Sequence, residues 1–184
     1  MYALVRPRSR SAARLAFATV VVALTTMLTA TSALSGQDDL ARIREATAPF
    51  HDVDAATAAG YELGYVNGAG VRIITGCIAH PTLGAMGYHY FNKQLIDDLV
   101  VDVETPEGLV YAPGPDGALQ LKAVEYVVPG ANSNPPGVSV APILFGQEMV
   151  ILVPAVGFYT RHAWLWGHNP SGMFANWSPE VSCS

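Results

Sequence analysis

The chain has only two cysteines among its 184 residues, Cys77 and Cys183. Two are too few for a thiolate zinc knuckle, and once they are paired no cysteine is left as a nucleophile. Positive charge is also scarce, with ten Lys plus Arg against fifteen Asp plus Glu, which argues against a nucleic-acid partner. No serine or cysteine sits in a nucleophile elbow, so covalent acyl chemistry has no carrier. The glycine-rich tract Gly84-Ala85-Met86-Gly87 lacks the lysine and the helix of a phosphate cradle; it reads as a turn that lets another backbone come close. No internal repeat is visible, and no linker-like stretch marks a second domain.

The N-terminus reads as a leader. Arg6, Arg8, Arg10 and Arg14 precede an uncharged apolar run from Leu15 to Leu28, which is short for a bilayer span. Small residues follow through Ala33, and Thr31-Ser32-Ala33 suits signal-peptide cleavage before Leu34. Residues 1–33 are therefore expected to be removed, leaving a secreted or periplasmic protein with no membrane span. There is no cysteine near the cleavage point for lipidation and no adjacent arginine pair for twin-Arg export. Losing four arginines leaves six basic groups against fifteen acidic ones, a mature net charge of −9.

An oxidising destination and an even cysteine count predict a Cys77–Cys183 disulfide. Residues 34–184 are the length of one globular domain, large enough to bury its own core. Its first part is helical: Leu40, Ile43 and Thr47 share a face after Asp38-Asp39, and Pro49 breaks or kinks the helix. Asp52 caps a second piece that ends at Gly60. Beyond Tyr61 helical periodicity gives way to short strands and turns. Asn67-Gly68-Ala69-Gly70 joins one hairpin and Pro113-Gly114-Pro115-Asp116-Gly117 another. Pro129 to Pro142, with Asn132-Ser133-Asn134-Pro135-Pro136-Gly137, reads as a long exposed loop or lid. The expected fold is α+β, with N-terminal helices packed on a curved, mostly antiparallel sheet or small β-barrel.

The stretch that carries chemistry is Leu119 to Val128. Alternation puts Leu119, Leu121, Ala123, Glu125 and Val127 on one side, so a carboxylate stands on an otherwise apolar face. A buried carboxylate requires a proton, hydrogen-bond donors or a metal ion. His89, in Gly87-Tyr88-His89-Tyr90-Phe91, and His162 lie on two other strand-like runs. In the second run Val156, Phe158, Thr160, His162, Trp164 and Trp166 share a face. Two imidazoles and one carboxylate suit a divalent transition metal such as Zn, Fe, Mn or Cu, with His80 or His168 as a further ligand. The alternatives are a metal-free acid–base pair and a hydrogen-bonded core network.

The runs Met86-Gly87-Tyr88-His89-Tyr90-Phe91-Asn92, Pro106-Glu107-Gly108-Leu109-Val110-Tyr111, Ala123-Val124-Glu125-Tyr126 and His162-Ala163-Trp164-Leu165-Trp166-Gly167-His168-Asn169-Pro170-Ser171-Gly172-Met173-Phe174 resemble a family of uncharacterised exported bacterial proteins. The resemblance spans nearly the whole mature chain and implies a bacterial source; it brings no assigned activity. The cupin pattern, two histidines one residue apart and a Glu a few positions on, is not met, because Tyr90 and Phe91 follow His89.

Three functions remain open at this point. The first is an exported protein whose interior His/Glu site binds a metal ion or small ligand. The others are a metal-dependent enzyme using the same residues, and a structural or interaction protein of the cell exterior.

Overall fold

The computed structural model describes residues 37–183; the expected leader and cleavage point lie outside them. Residues 37–47 form helix α1, which tightens into a 3-10 turn over Ala48–His51 where Pro49 offers no amide for an α-helical bond. Ile43 and Thr47 are fully buried, and Leu40 packs beside them. Helix α2 (Val53–Ala58) starts where the Asp52 carboxylate accepts from the Asp54 amide at 2.9 Å.

The main sheet is built from β1 (Tyr61–Leu63), β4 (Ile78–His80), β5 (Gly84–Asn92), β6 (Gly108–Pro113), β7 (Leu119–Pro129), β10 (Val150–Ile151) and β11 (Phe158–Ala163). Its spatial order is β1-β5-β6-β7-β11-β10, with β4 also paired to β5. Every neighbouring pair is antiparallel. β1 and β10 stand at opposite ends without pairing, so the sheet is open and the barrel alternative falls away. Two small hairpins flank it, β2 (Tyr65–Val66) with β3 (Arg72–Ile73), and β8 (Ile143–Leu144) with β9 (Gln147–Glu148). A short helix, α3 (Lys93–Asp97), follows β5, capped by the Asn92 side chain. The described part is α+β, and none of its helices is long and apolar enough to cross a membrane.

Both faces of the sheet are covered. On one, Leu109, Tyr111, Val124, Tyr126 and Val128 pack with Ile43 and Ala56 of the helices. There the Tyr61, Tyr111 and Tyr126 hydroxyls donate to the Pro106, Phe50 and Val103 carbonyls at 2.6–2.7 Å. The other face carries Ala85, Val110, Ala123 and Trp164 beside Val181 of the tail. It continues into Phe91, Val127 and Phe158 beside Tyr65 and Ile96.

The structure corrects two face assignments. The register slips between the Val110↔Ala123 and Tyr111↔Leu121 pairs, leaving Lys122 unmatched. The Lys122 carbonyl instead accepts from the Trp166 and Gly167 amides at 3.1 and 2.9 Å. A bulge reverses side-chain parity, so Leu119 and Leu121 join the helix-facing core while Ala123, Glu125 and Val127 face the other way. Trp166 changes side for a related reason. β11 ends at Ala163 and the chain turns, with the Leu165 amide on the Ala163 carbonyl at 3.0 Å. The Trp166 indole then donates to Thr47 Oγ1 at 3.1 Å on the helix side.

The tail is packed down. Ala85 and Ser178 exchange both backbone hydrogen bonds at 3.0 Å, and a Cβ on Gly84 would stand 2.0 Å from the Ser178 carbonyl oxygen. This is the close approach expected of the glycine tract, although Gly84 opens strand β5 rather than a turn. Cys77 and Cys183 form a disulfide with Cα atoms 5.6 Å apart across a sequence separation of 106. The segment 129–142 is largely irregular but tied down rather than free: Ser133 is buried, its hydroxyl 2.8 and 2.6 Å from the Gly130 and Pro135 carbonyls.

Candidate metal centre

Glu125 stands opposite Gly108 on β6 and His162 on β11. His89 is on β5, one strand further, opposite Val110. Its contact with Glu125 thus passes over the middle strand, where Gly108 presents no side chain. A Cβ there would lie 3.0–3.1 Å from the Phe91 ring and 3.2 Å from Glu125 Cβ. The sequence reading did not single out Gly108. The signal was a glycine at the start of a strand, which marks a place where other atoms come close.

The three side chains are buried, Glu125 at 4%, His89 at 2% and His162 at 0% exposure. His89 Nε2 lies 3.5 Å from Glu125 Oε2, and His162 Nε2 lies 3.6 Å from Glu125 Oε1. These separations exceed the usual 2.7–3.2 Å of a hydrogen bond. Glu125 Oε2 and both ring nitrogens of His162 have no hydrogen-bond partner. Buried polar atoms are rarely left so. Nitrogen and oxygen ligands at about 2.0–2.1 Å around a tetrahedral ion stand roughly 3.3–3.4 Å apart, close to the two separations seen here. Among the described residues this is a group of His and Glu whose ligand atoms all lie within 4.8 Å of one another. It can hold a metal ion.

Burial sets the protonation of the group. Desolvation raises the Glu125 carboxyl to about 8. It lowers His89 to about 4, opposed in part by the Gly87 backbone. It lowers His162 to about 3, helped by His89 and by the Arg161 charge. Without a cation, the group is thus neutral near pH 7: one carboxylic acid and two unprotonated imidazoles. Unprotonated imidazole is the ligating form, and a divalent ion would displace the carboxyl proton.

The site opens on one side. His89 and Glu125 form part of the wall of a cavity of about 300 Å³, whose other walls include Ile74, Ile78, Met86, Leu152, Val156, Phe158 and Trp177. His162 is not among the lining residues and is fully buried. The loop bordering this cavity runs through Leu152, Val153 and Val156; no residue of segment 129–142 lines it.

His80 and His168 lie outside the close group. His80 lines the same cavity, its ring 5.2 Å from Trp177. Its Nδ1 accepts from the Thr82 and Leu83 amides, both at 3.2 Å. His168 is exposed and pairs with Glu180 at 3.3 Å. A second buried carboxyl, Glu107, escaped the sequence reading. Its Oε2 accepts from the Val127 amide at 2.9 Å while Oε1 has no partner. Burial above all raises it to about 8, with Asp98 and Glu125 adding to the effect and the Val127 amide opposing it. Its place beside Gly108 was the available clue.

Comparison with protein-family models, curated proteins and solved structures finds no match to this chain.

Proposed function

We propose that this is an exported bacterial protein that binds a divalent transition metal ion through His89, Glu125 and His162 at the foot of an apolar cavity. The observation that carries the reading is that His89, Glu125 and His162 bring ligand atoms within 4.8 Å of one another, with Glu125 Oε2 and His162 Nε2 buried and unpartnered. A hydrogen-bonded core network would leave fewer orphans, because each unsatisfied buried group costs about 1–3 kcal/mol. Export is supported by the leader-like residues 1–33, by the resemblance to exported bacterial proteins and by a disulfide, which persists in oxidising compartments.

The cavity favours the enzyme reading as the alternative. Three protein ligands leave a tetrahedral ion one position for water or substrate, and His89 and Glu125 face open volume. An ion so placed would act as a Lewis acid, or lower the pKa of a bound water.

Elemental analysis of the purified protein tests the proposal, with one metal per chain expected and none after His89→Ala. Cobalt substitution then reads the open position: azide should perturb the visible spectrum of the cobalt form. A cobalt spectrum indifferent to azide would mean a closed shell and remove the enzyme alternative.

A further inference from the structure

We infer that the cavity above the metal takes a small amphiphilic monoanion, a carboxylate with an apolar body, whose head completes the coordination of the ion. The inference rests on the metal-binding reading above. Two neutral imidazoles and one carboxylate leave a divalent ion with one uncompensated positive charge. Among the described residues no other Asp or Glu lines the cavity, and no Lys or Arg does; behind the wall, Glu107 acts on Glu125 and Arg161 on His162 with opposite signs. Among apolar walls an unbalanced charge is costly, and a single anionic head closes the balance.

The remaining polar groups point the same way. His80 accepts two backbone amides at Nδ1, which puts its proton on Nε2 and makes the ring a donor toward any further partner. The Thr160 hydroxyl leans on the Val150 carbonyl at 3.5 Å. The wall therefore offers a donor and a cation, and a carboxylate is an acceptor with no proton to place.

The body of the ligand follows from the other walls: Ile74, Ile78, Leu152, Val156, Phe158 and Trp177 are apolar or aromatic. A dry cavity of about 150 Å³ holds benzene, so the 300 Å³ here suits roughly ten to fifteen heavy atoms, a ring with a short arm or a medium-length chain. One wall residue is held in an unfavourable backbone. Ile74 has φ 58°, a left-handed conformation that β-branched residues avoid and that persists where the surroundings impose it, often at ligand sites.

The test is calorimetric titration of protein shown by elemental analysis to carry one zinc per chain, with octanoate, acetate and 1-octanol as probes. Octanoate should bind at least tenfold more tightly than acetate, which has the head alone, and than octanol, which has the body alone. Removing zinc should weaken octanoate at least tenfold. Leu152→Trp and Val153→Trp, at half-buried and exposed positions of the cavity border, should each weaken octanoate without changing the zinc content. Octanol binding as tightly as octanoate, or no saturable octanoate binding by the zinc-loaded protein, overturns this inference and leaves the metal site standing. Failure to load any metal overturns the metal site and this inference with it.

Discussion

Glu125→Gln keeps the shape of the side chain and removes the charge that a cation needs, so zinc affinity should fall by at least about a hundredfold. Glu125→Leu should behave differently without metal. The carboxyl makes no hydrogen bond of ordinary length to His89 or His162, and replacing buried polar groups by packed apolar atoms is often neutral or favourable. The metal-free Leu variant should therefore melt at or above the wild-type temperature. A structural network would instead lose a few kcal/mol with either change. Denaturant melts of the three proteins, with and without chelator, separate these outcomes. Protonation supplies a second prediction. Glu125 and Glu107 have native pKa values near 8, above the ordinary 4.5. Their stabilising contribution is complete below pH 4.5 and is lost as pH rises through 8. His89 and His162 are shifted downward from 6.5, so their contribution is complete above pH 6.5 and lost only in acid. Between pH 6.5 and 8 the carboxyls alone act. Metal-free protein should lose stability across that window, by at most about 1.4 kcal/mol per pH unit for each carboxyl. Chemical denaturation at several pH values reads the slope, and Glu125→Leu should reduce it.

Gly108 is where the sheet itself makes the site. Gly108→Ala would put a methyl against Phe91 and Glu125 at 3.0–3.2 Å; the expected cost is about 1–3 kcal/mol for overpacking. Because the methyl would wedge between β5 and β7, zinc affinity should fall with stability, which a metal titration of the folded variant would show. Unchanged affinity would mean that His89 does not need this gap. Several elements were legible beforehand from local chemistry. Pro113-Gly114-Pro115-Asp116-Gly117 does join two strands, Asn67 does turn the β2–β3 hairpin by accepting the Ala69 and Val71 amides at 3.0 Å, and Asp52 does cap α2. The bulge at Lys122 was not legible, since its cause lies elsewhere in the chain: the Trp166 and Gly167 amides take its carbonyl. Strict alternation therefore placed Glu125 correctly and Leu119 and Leu121 on the wrong face.

The disulfide acts on the molecule as a whole, tying the C-terminal tail to the strand region beside Cys77 across 106 residues. Closing a loop of that size is worth on the order of 4–5 kcal/mol in chain entropy. The Cys77→Ala, Cys183→Ala double variant should lose about that much in denaturant unfolding, and non-reducing mass spectrometry of the wild type should give the linked peptide. By itself the sequence determined the class of the fold, the pairing of its two cysteines and the identity of its three convergent residues. Composition, turn chemistry and the burial cost of a lone carboxylate are local properties, readable one segment at a time. Only the tertiary structure decided that the sheet stays open, that Lys122 bulges, that Gly108 stands bare between Phe91 and Glu125, and that an apolar cavity stands over the pair. Those features depend on which strands become neighbours and in what register, and residues far apart in the chain settle that together.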